Sequence, residues 1–281
     1  VQGNAEDSLR PVLQKFLSGQ ILSAVTVLRS KGDKRAVDGN ALAIELLPHV
    51  HFDDMLEQKV KPIIQQQIAK GMSLQITSAE RSTALHSKVL MQLRPEVTQH
   101  MQQALDNTLV RLVDEGHWKD VNDETRRQLS FVLQEGITDG DTLREMADRV
   151  EREMGPEWSG PRALKIARTE STAALNAGHY LGQQELEDEG LAFGAEWMSI
   201  IDKDTRPDHV AADGQQIGVG ETFNVGGFPA KYPGDPDLPA QERVNCRCVA
   251  VPITEPPKSA PVNRLKQHMN GHATNGHAVC C

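Results

Sequence analysis

Aromatic residues are scarce: Phe, Trp and Tyr together make up 4% of 281 residues. A core must therefore be assembled from Leu, Ile, Val, Ala and Met. Cysteine is scarcer still, with only Cys246, Cys248, Cys280 and Cys281. A secreted disulfide scaffold needs more cysteines, better spread, so a reducing compartment is expected. No uninterrupted apolar run approaches the roughly 18 to 20 residues that span a bilayer, so no membrane partner is expected. The opening residues, Val1 to Ala5, lack both an initiator Met and the pattern of a secretory leader. A processed chain, or one cut from something longer, is expected. No Gly-x4-Gly-Lys-Ser/Thr loop occurs, so the terminal Cys280-Cys281 has no GTPase beside it to suggest prenylation. No internal repeat is visible.

What is present reads as globular. Hydrophobic residues are 38% and charged residues 25%, both ordinary values. The length predicts two units and a tail. Charge is uneven along the chain. Residues 1–115 carry thirteen basic and thirteen acidic side chains, whereas residues 116–252 carry fourteen and twenty-five. An acidic surface repels phosphate, so DNA contact by the second unit is disfavoured.

Residues 6–113 predict helices. Leu9, Val12, Leu13, Phe16 and Leu17 recur at three and four, as do Ile21, Val25 and Leu28. Asp33 to Asn40 is a polar break. Leu85, Val89 and Leu93 form one further face, and Val97 to Leu112 another, restarted at Pro95. Stripes of Met and Leu at this spacing are read as core. Helices are predicted near 122–135 and 139–154, separated at Gly136, with Asp139 or Asp141 as N-cap of the second. Ser159-Gly160-Pro161 predicts the start of a helix running to Asp188 and stopped by Gly190. From Phe193 the texture changes to short strand candidates at 193–200, 216–219 and 244–251, set between turns rich in Gly, Pro and Asp. After Pro252 little remains to bury.

Two constellations carry chemistry. On the long helix Arg168, Thr172, Asn176 and Tyr180 step by four and share a face, with Thr169 and Glu170 beside them. That line either receives the irregular loops through hydrogen bonds or is a solvated face. The second constellation is Asp202 to His209 with Asp213, joined by Asn245-Cys246-Arg247-Cys248. His209, Cys246 and Cys248 are three ligands of the kind zinc prefers, with Asp204 or Asp208 as a fourth. A buried reduced pair and a reactive thiol remain alternatives. His268, His272 and His277 in the tail add opportunistic metal ligands.

The ordered set Ala167-Arg168-Thr169-Glu170, Asn176, Trp197, Asp204-x-Arg206-x2-His209, Asp213-Gly214, Phe223 and Asn245-Cys246-Arg247-Cys248 resembles the phage Mu F-like minor head proteins, the head morphogenesis family, over about residues 125–252. The elements read above make an α+β fold: an extended helical region at 1–115, outside the resemblance and similar only in texture to the C-terminal part of a portal, then a small turn-rich domain at 116–252 and a tail at 253–281. The resemblance implies a non-enzymatic protein of the virion. Its partners would be portal and capsid or scaffold proteins, its place inside the head near the portal, with the host cytoplasm as its site during assembly. DNA packaging or ejection would be its stage of action. Arg168, Glu170, Asn176, Asp204, Arg206 and Asp213 would form a structural polar cluster. Relatives that carry Cys-x2-Cys where this chain has Arg206 and His209 would hold zinc with four cysteines, so the Arg departs from that pattern. The enzymatic alternatives are an ADP-ribosyltransferase built on Arg168, Ser171-Thr172 and Glu185-x-Glu187, and a nuclease using Asp202, Asp204, Asp208 and His209 with a divalent ion.

Overall fold

The computed structural model describes residues 3–47, 50–82, 94–113, 117–188 and 190–254. The tail histidines and cysteines, and the stripe of Leu85, Val89 and Leu93, lie outside the described residues. Up to residue 188 the elements are helical: α1 (Gly3–Lys31), α2 (Gly39–Leu46), α3 (Val50–Met55), a π-helical turn (Leu56–Val60), α4 (Lys61–Ser82), α5 (Arg94–Val113), α6 (His117–Asp139), α7 (Leu143–Met154) and α8 (Pro156–Asp188). Short pieces follow: β1 (Gly194–Met198), α9 (Pro207–Ala212), β2 (Gln216–Gly218), β3 (Phe223–Val225), β4 (Phe228–Ala230), α10 (Ala240–Arg243) and β5 (Val249–Pro252). The class is α+β, as the sequence predicts.

The helix α8 is the spine. Its middle is rich in Ala, which favours helix and keeps the surface low. Its end is closed by Gly190 at φ +69°, with the Leu191 amide bonded to the Leu186 carbonyl and the Gly190 amide to the Glu187 carbonyl. That pair of bonds is a Schellman motif, and Leu191 packs against Leu186 as the motif requires.

Two helical cores form along α8 and α1. The first joins Leu9, Leu13 and Leu17 of α1 with Ile64, Ile68 and Met72 of α4, Leu109 and Leu112 of α5, and Ala167, Ala174 and Ala177 of α8. The second joins Ile21, Val25 and Leu28 of α1 with Leu42 and Leu46 of α2, Leu129 and Leu133 of α6, and Met146, Ala147 and Val150 of α7. Both cores therefore run across residue 115, with helices from either side of it contributing to each.

The closest helix crossing lies between α4 and α8. A Cβ placed on Gly178 would stand 2.1 Å from the Ile68 carbonyl oxygen, and one on Gly71 would stand 2.4 Å from that of Leu175. Only the absence of both side chains lets the backbones meet.

One absence expected from the sequence is corrected. Between Ala5 and Lys31, α1 contains an 18-residue window of mean hydropathy 1.2 with no more than two charged residues, so by length and composition it is apolar enough to cross a membrane. In the fold its apolar stripe, Leu9, Leu13, Leu17, Ile21 and Leu28, is buried against α7 and α8.

Three helix boundaries also differ. α6 runs through Gly136 to Asp139, and α7 is capped by Thr142 in a reciprocal capping box with Glu145. Asp139 and Asp141 instead bind Arg149. α8 begins at Pro156, with Pro161 inside it.

Beyond α8 an antiparallel sheet of order β2-β1-β5 pairs Trp197 with Ala250 and Glu196 with Gln216. A second ribbon, β3-β4, turns at Gly226-Gly227. Trp197 and Phe223, both fully buried, meet edge to face with centroids 5.3 Å apart, and Ala212, Val225, Ala230, Leu238, Cys246 and Cys248 complete this third core.

Candidate functional site

The polar line of α8 faces β5 and the turn before it. Asn176, 0% exposed, accepts a hydrogen bond from the Ala250 amide at 3.2 Å and donates to the Cys248 carbonyl at 3.0 Å. About two turns earlier, Thr169 Oγ1 accepts from the Asn245 amide at 2.8 Å. Arg168 donates to Asn245 Oδ1 at 3.1 Å and to both carboxylate oxygens of Glu6 at 3.3 Å. Thr172 is buried beside them. The line is therefore not a solvated face. It holds the last strand on the helix and ties both to the start of α1.

Asn245 sits at φ +61°, a left-handed conformation that Asn tolerates better than most residues. The turn it makes launches an extended run in which Cys246, Cys248 and Ala250 point inward while Arg247 points out. Arg247 then grips Asp202 with two bonds of 2.6 and 2.7 Å, and this guanidinium holds the Asp202 carboxyl well below the usual carboxylate range. Asp202 also accepts from the Asp204 amide and from Thr205, closing the loop on itself.

The six residues expected to form one polar cluster separate into distinct places. Arg168 and Asn176 share the α8–β5 seam. Arg206 donates to the Val244 carbonyl, bridging the start of α9 to the cysteine turn. Asp213 accepts from the Ser199 amide at 2.7 Å and fixes the end of β1. Asp204 is exposed on the surface turn. Glu170 is buried on α8, where its electrostatic partner is Arg243. Neither Arg168 nor Glu170 is bonded to the 202–209 loop.

Burial raises the Glu170 carboxyl to about 7, with Arg243 opposing the rise. A carboxyl raised in the folded state binds its proton more tightly there than in the unfolded chain, whose value is near 4.5. This contribution to stability is complete below the unfolded value and is lost as pH climbs through the folded one. The stability of wild type to thermal unfolding is expected to fall between pH 5 and 7.5 by about 2.4 kcal/mol. Glu170→Gln is expected to remove that slope. An equally steep slope in the variant would assign it to other groups.

His209, Cys246 and Cys248 do come together. His209 Nδ1 lies 3.3 Å from Cys248 Sγ and 3.7 Å from Cys246 Sγ, and all three residues are 3% exposed or less. Cys248 Sγ also lies 3.4 Å from Ser199 Oγ, and the Cys248 amide points at Cys246 Sγ at 3.4 Å. Hydrogen bonds from Cys246 and His209 pull the Cys248 thiol down, while that same Cys248 pushes Cys246 up. On the far side of the ring, His209 Nε2 and Glu242 Oε2 are 3.3 Å apart, off the line of a hydrogen bond, and neither has another partner. Glu242 is 4% exposed. Sequence reasoning missed it, because a glutamate on a four-residue helix in a Pro-rich stretch carries no spacing signal. Among the described residues this is the one set of three or more His, Cys, Asp or Glu side chains whose ligand atoms can share a metal ion. Neither Asp204 nor Asp208 joins it.

The site is thus a long Ala-rich helix bearing a small sheet, with a buried Cys-x-Cys and His knot beneath the last strand. Residues 127–251 match the family described as Phage Mu protein F like protein. Two curated relatives match. NAD(+)–arginine ADP-ribosyltransferase EFV of Enterococcus faecalis is 32% identical over 133 residues, 47% of this chain and 27% of its own length. Uncharacterized protein YqbB of Bacillus subtilis is 29% identical over 135 residues, again 47% of this chain, and 43% of its own. The chain thus spans under half the length of either relative. No solved structure matches.

Proposed function

We propose that the protein is a minor component of a phage head that acts structurally during head assembly, at the portal and in the packaging or ejection of DNA. The observation that carries this reading is the Mu F-like segment at residues 127–251. Within it, the residues on which the resemblance was read hold the fold. Arg168, Thr169 and Asn176 secure the cysteine turn and β5, while Arg206, Asp213 and Arg247 secure the loops around β1. Portal, capsid or scaffold proteins are the partners, and the assembled head is the location, reached from the host cytoplasm. The acidic balance of residues 116–252 favours contact with protein over contact with DNA.

The name of the Enterococcus relative raises a transferase reading. In this chain the residues for it lie along one helix and are committed elsewhere. Arg168 pairs with Glu6, Ser171 is 1% exposed, and Glu187 accepts from Gln183 at 2.6 Å. For a nuclease, Asp202 is held by Arg247 and His209 faces two sulfurs. The structural reading is preferred on these grounds.

The test is to tag the full chain in the phage or prophage that encodes it and to purify procapsids by sedimentation. The expected result is a few copies per procapsid. A chain found wholly outside the particles, or one that transfers label from NAD to an arginine acceptor, overturns the reading.

A further inference from the structure

The Cys/His knot has the geometry of an incomplete tetrahedron. With metal–sulfur bonds near 2.3 Å and metal–nitrogen bonds near 2.05 Å, sulfur and nitrogen ligands of one zinc ion stand about 3.5 Å apart. The two such distances here are 3.3 and 3.7 Å, and all three donor atoms lie within 4.8 Å of one another. The partner on the far side of the imidazole fits as well. A histidine that ligates through Nδ1 must carry its proton on Nε2, and a carboxylate near that N–H is the usual orienting group. Glu242 stands there, buried and without another partner for Oε2. A neutral hydrogen-bonded core would have no use for two unpartnered polar atoms facing each other in the interior.

What is missing is the fourth ligand. Among the described residues no further His, Cys, Asp or Glu joins the three. Ser199 Oγ, near Cys248, is already engaged, donating to the His209 carbonyl at 2.8 Å and accepting from the Trp197 indole at 3.1 Å. Arg206 turns to the Val244 carbonyl. A small cleft reaches all three donor residues and is rimmed by Asp204, Thr205, Arg206, Asn245 and Arg247.

We propose that His209, Cys246 and Cys248 bind one zinc ion, positioned by Glu242, with the fourth coordination place open to this cleft and taken by a small anionic or thiolate ligand from outside the chain. Two thiolates and an imidazole leave the ion neutral overall. At the rim Arg247 is paired with Asp202, so Arg206, with Asp204 opposite in charge, is the cation that bears on a ligand in the remaining place.

The test uses the full chain, with the tail intact in every variant so that its histidines and cysteines contribute equally. Metal content by mass spectrometry is expected to fall by about one zinc per chain in Cys248→Ala relative to wild type. Glu242→Gln leaves every ligand in place and is expected to bind zinc 10 to 100 times more weakly in competition with a chelator. Cobalt substitution is expected to give the visible bands of a tetrahedral thiolate site, absent from Cys248→Ala. Addition of 2-mercaptoethanol or azide is expected to shift them. Equal zinc in wild type and Cys248→Ala, with unchanged affinity in Glu242→Gln, overturns the site. Zinc lost as expected but cobalt bands indifferent to both added ligands overturns the open fourth place.

Discussion

Gly178→Ala is expected to destabilise the protein by about 3 kcal/mol or more, although alanine is the better helix former. The two effects oppose each other, and their sizes decide the sign. Replacing a mid-helix glycine by alanine gains up to about 1 kcal/mol of propensity. At residue 178 the new methyl carbon would lie 2.1 Å from the Ile68 carbonyl oxygen and 3.0 Å from Gly71 Cα, both backbone atoms that no rotamer change can move. The helices α4 and α8 would have to separate, opening the core formed by Ile64, Ile68, Ala174 and Ala177. Overpacking of this kind costs about 1–3 kcal/mol even where side chains can yield, and more where they cannot. Gly19→Ala in α1 is the matched control, because its new methyl meets nothing within 4 Å. It is expected to stabilise by about 0.5–1 kcal/mol. Urea unfolding midpoints measure both. A Gly178→Ala chain that unfolds at the wild-type urea concentration would mean that the crossing is looser than described.

Asn176→Leu is the second large effect. Leucine is close in size and apolar, so no cavity explains a loss. It leaves the Ala250 amide and the Cys248 carbonyl without their partner on α8. Each buried group so orphaned costs about 1–3 kcal/mol, giving roughly 3 kcal/mol for the pair. The damage is local, and amide hydrogen exchange can place it. Protection at Ala250 and its neighbours in β5 is expected to collapse, while amides in α7, remote from the seam, keep theirs. Retained protection at Ala250 would show that the strand is held by its pairing with β1 alone.

Much of the helical framework was legible because apolar residues recur at the helical period, as in Leu9, Leu13 and Leu17. Gly136 misled for a physical reason. A Cβ there would meet Met146 and Asp141 at about 3 Å, so the glycine admits α7 and ends nothing. Gly226-Gly227, within the turn-rich stretch, both have positive φ and close the β3–β4 hairpin, whose three-residue strands are too short for alternation to show. The convergence of His209 with Cys246 and Cys248 was reachable from ligand chemistry alone. Glu6 and Glu242 were not, since each is placed by tertiary folding and neither stands at a telling interval from its partner.

The glycine face of α8 bears on how the family segment can be moved between chains. Residues 127–251 contain Gly178 but not Gly71, the residue that meets it. A chain that carries this segment inherits a half-finished contact, a narrow strip with no side chain at its centre. It must supply a neighbour whose own backbone comes equally close. Fusion partners of the segment are thereby restricted by shape, by a requirement that the segment's own sequence does not spell out.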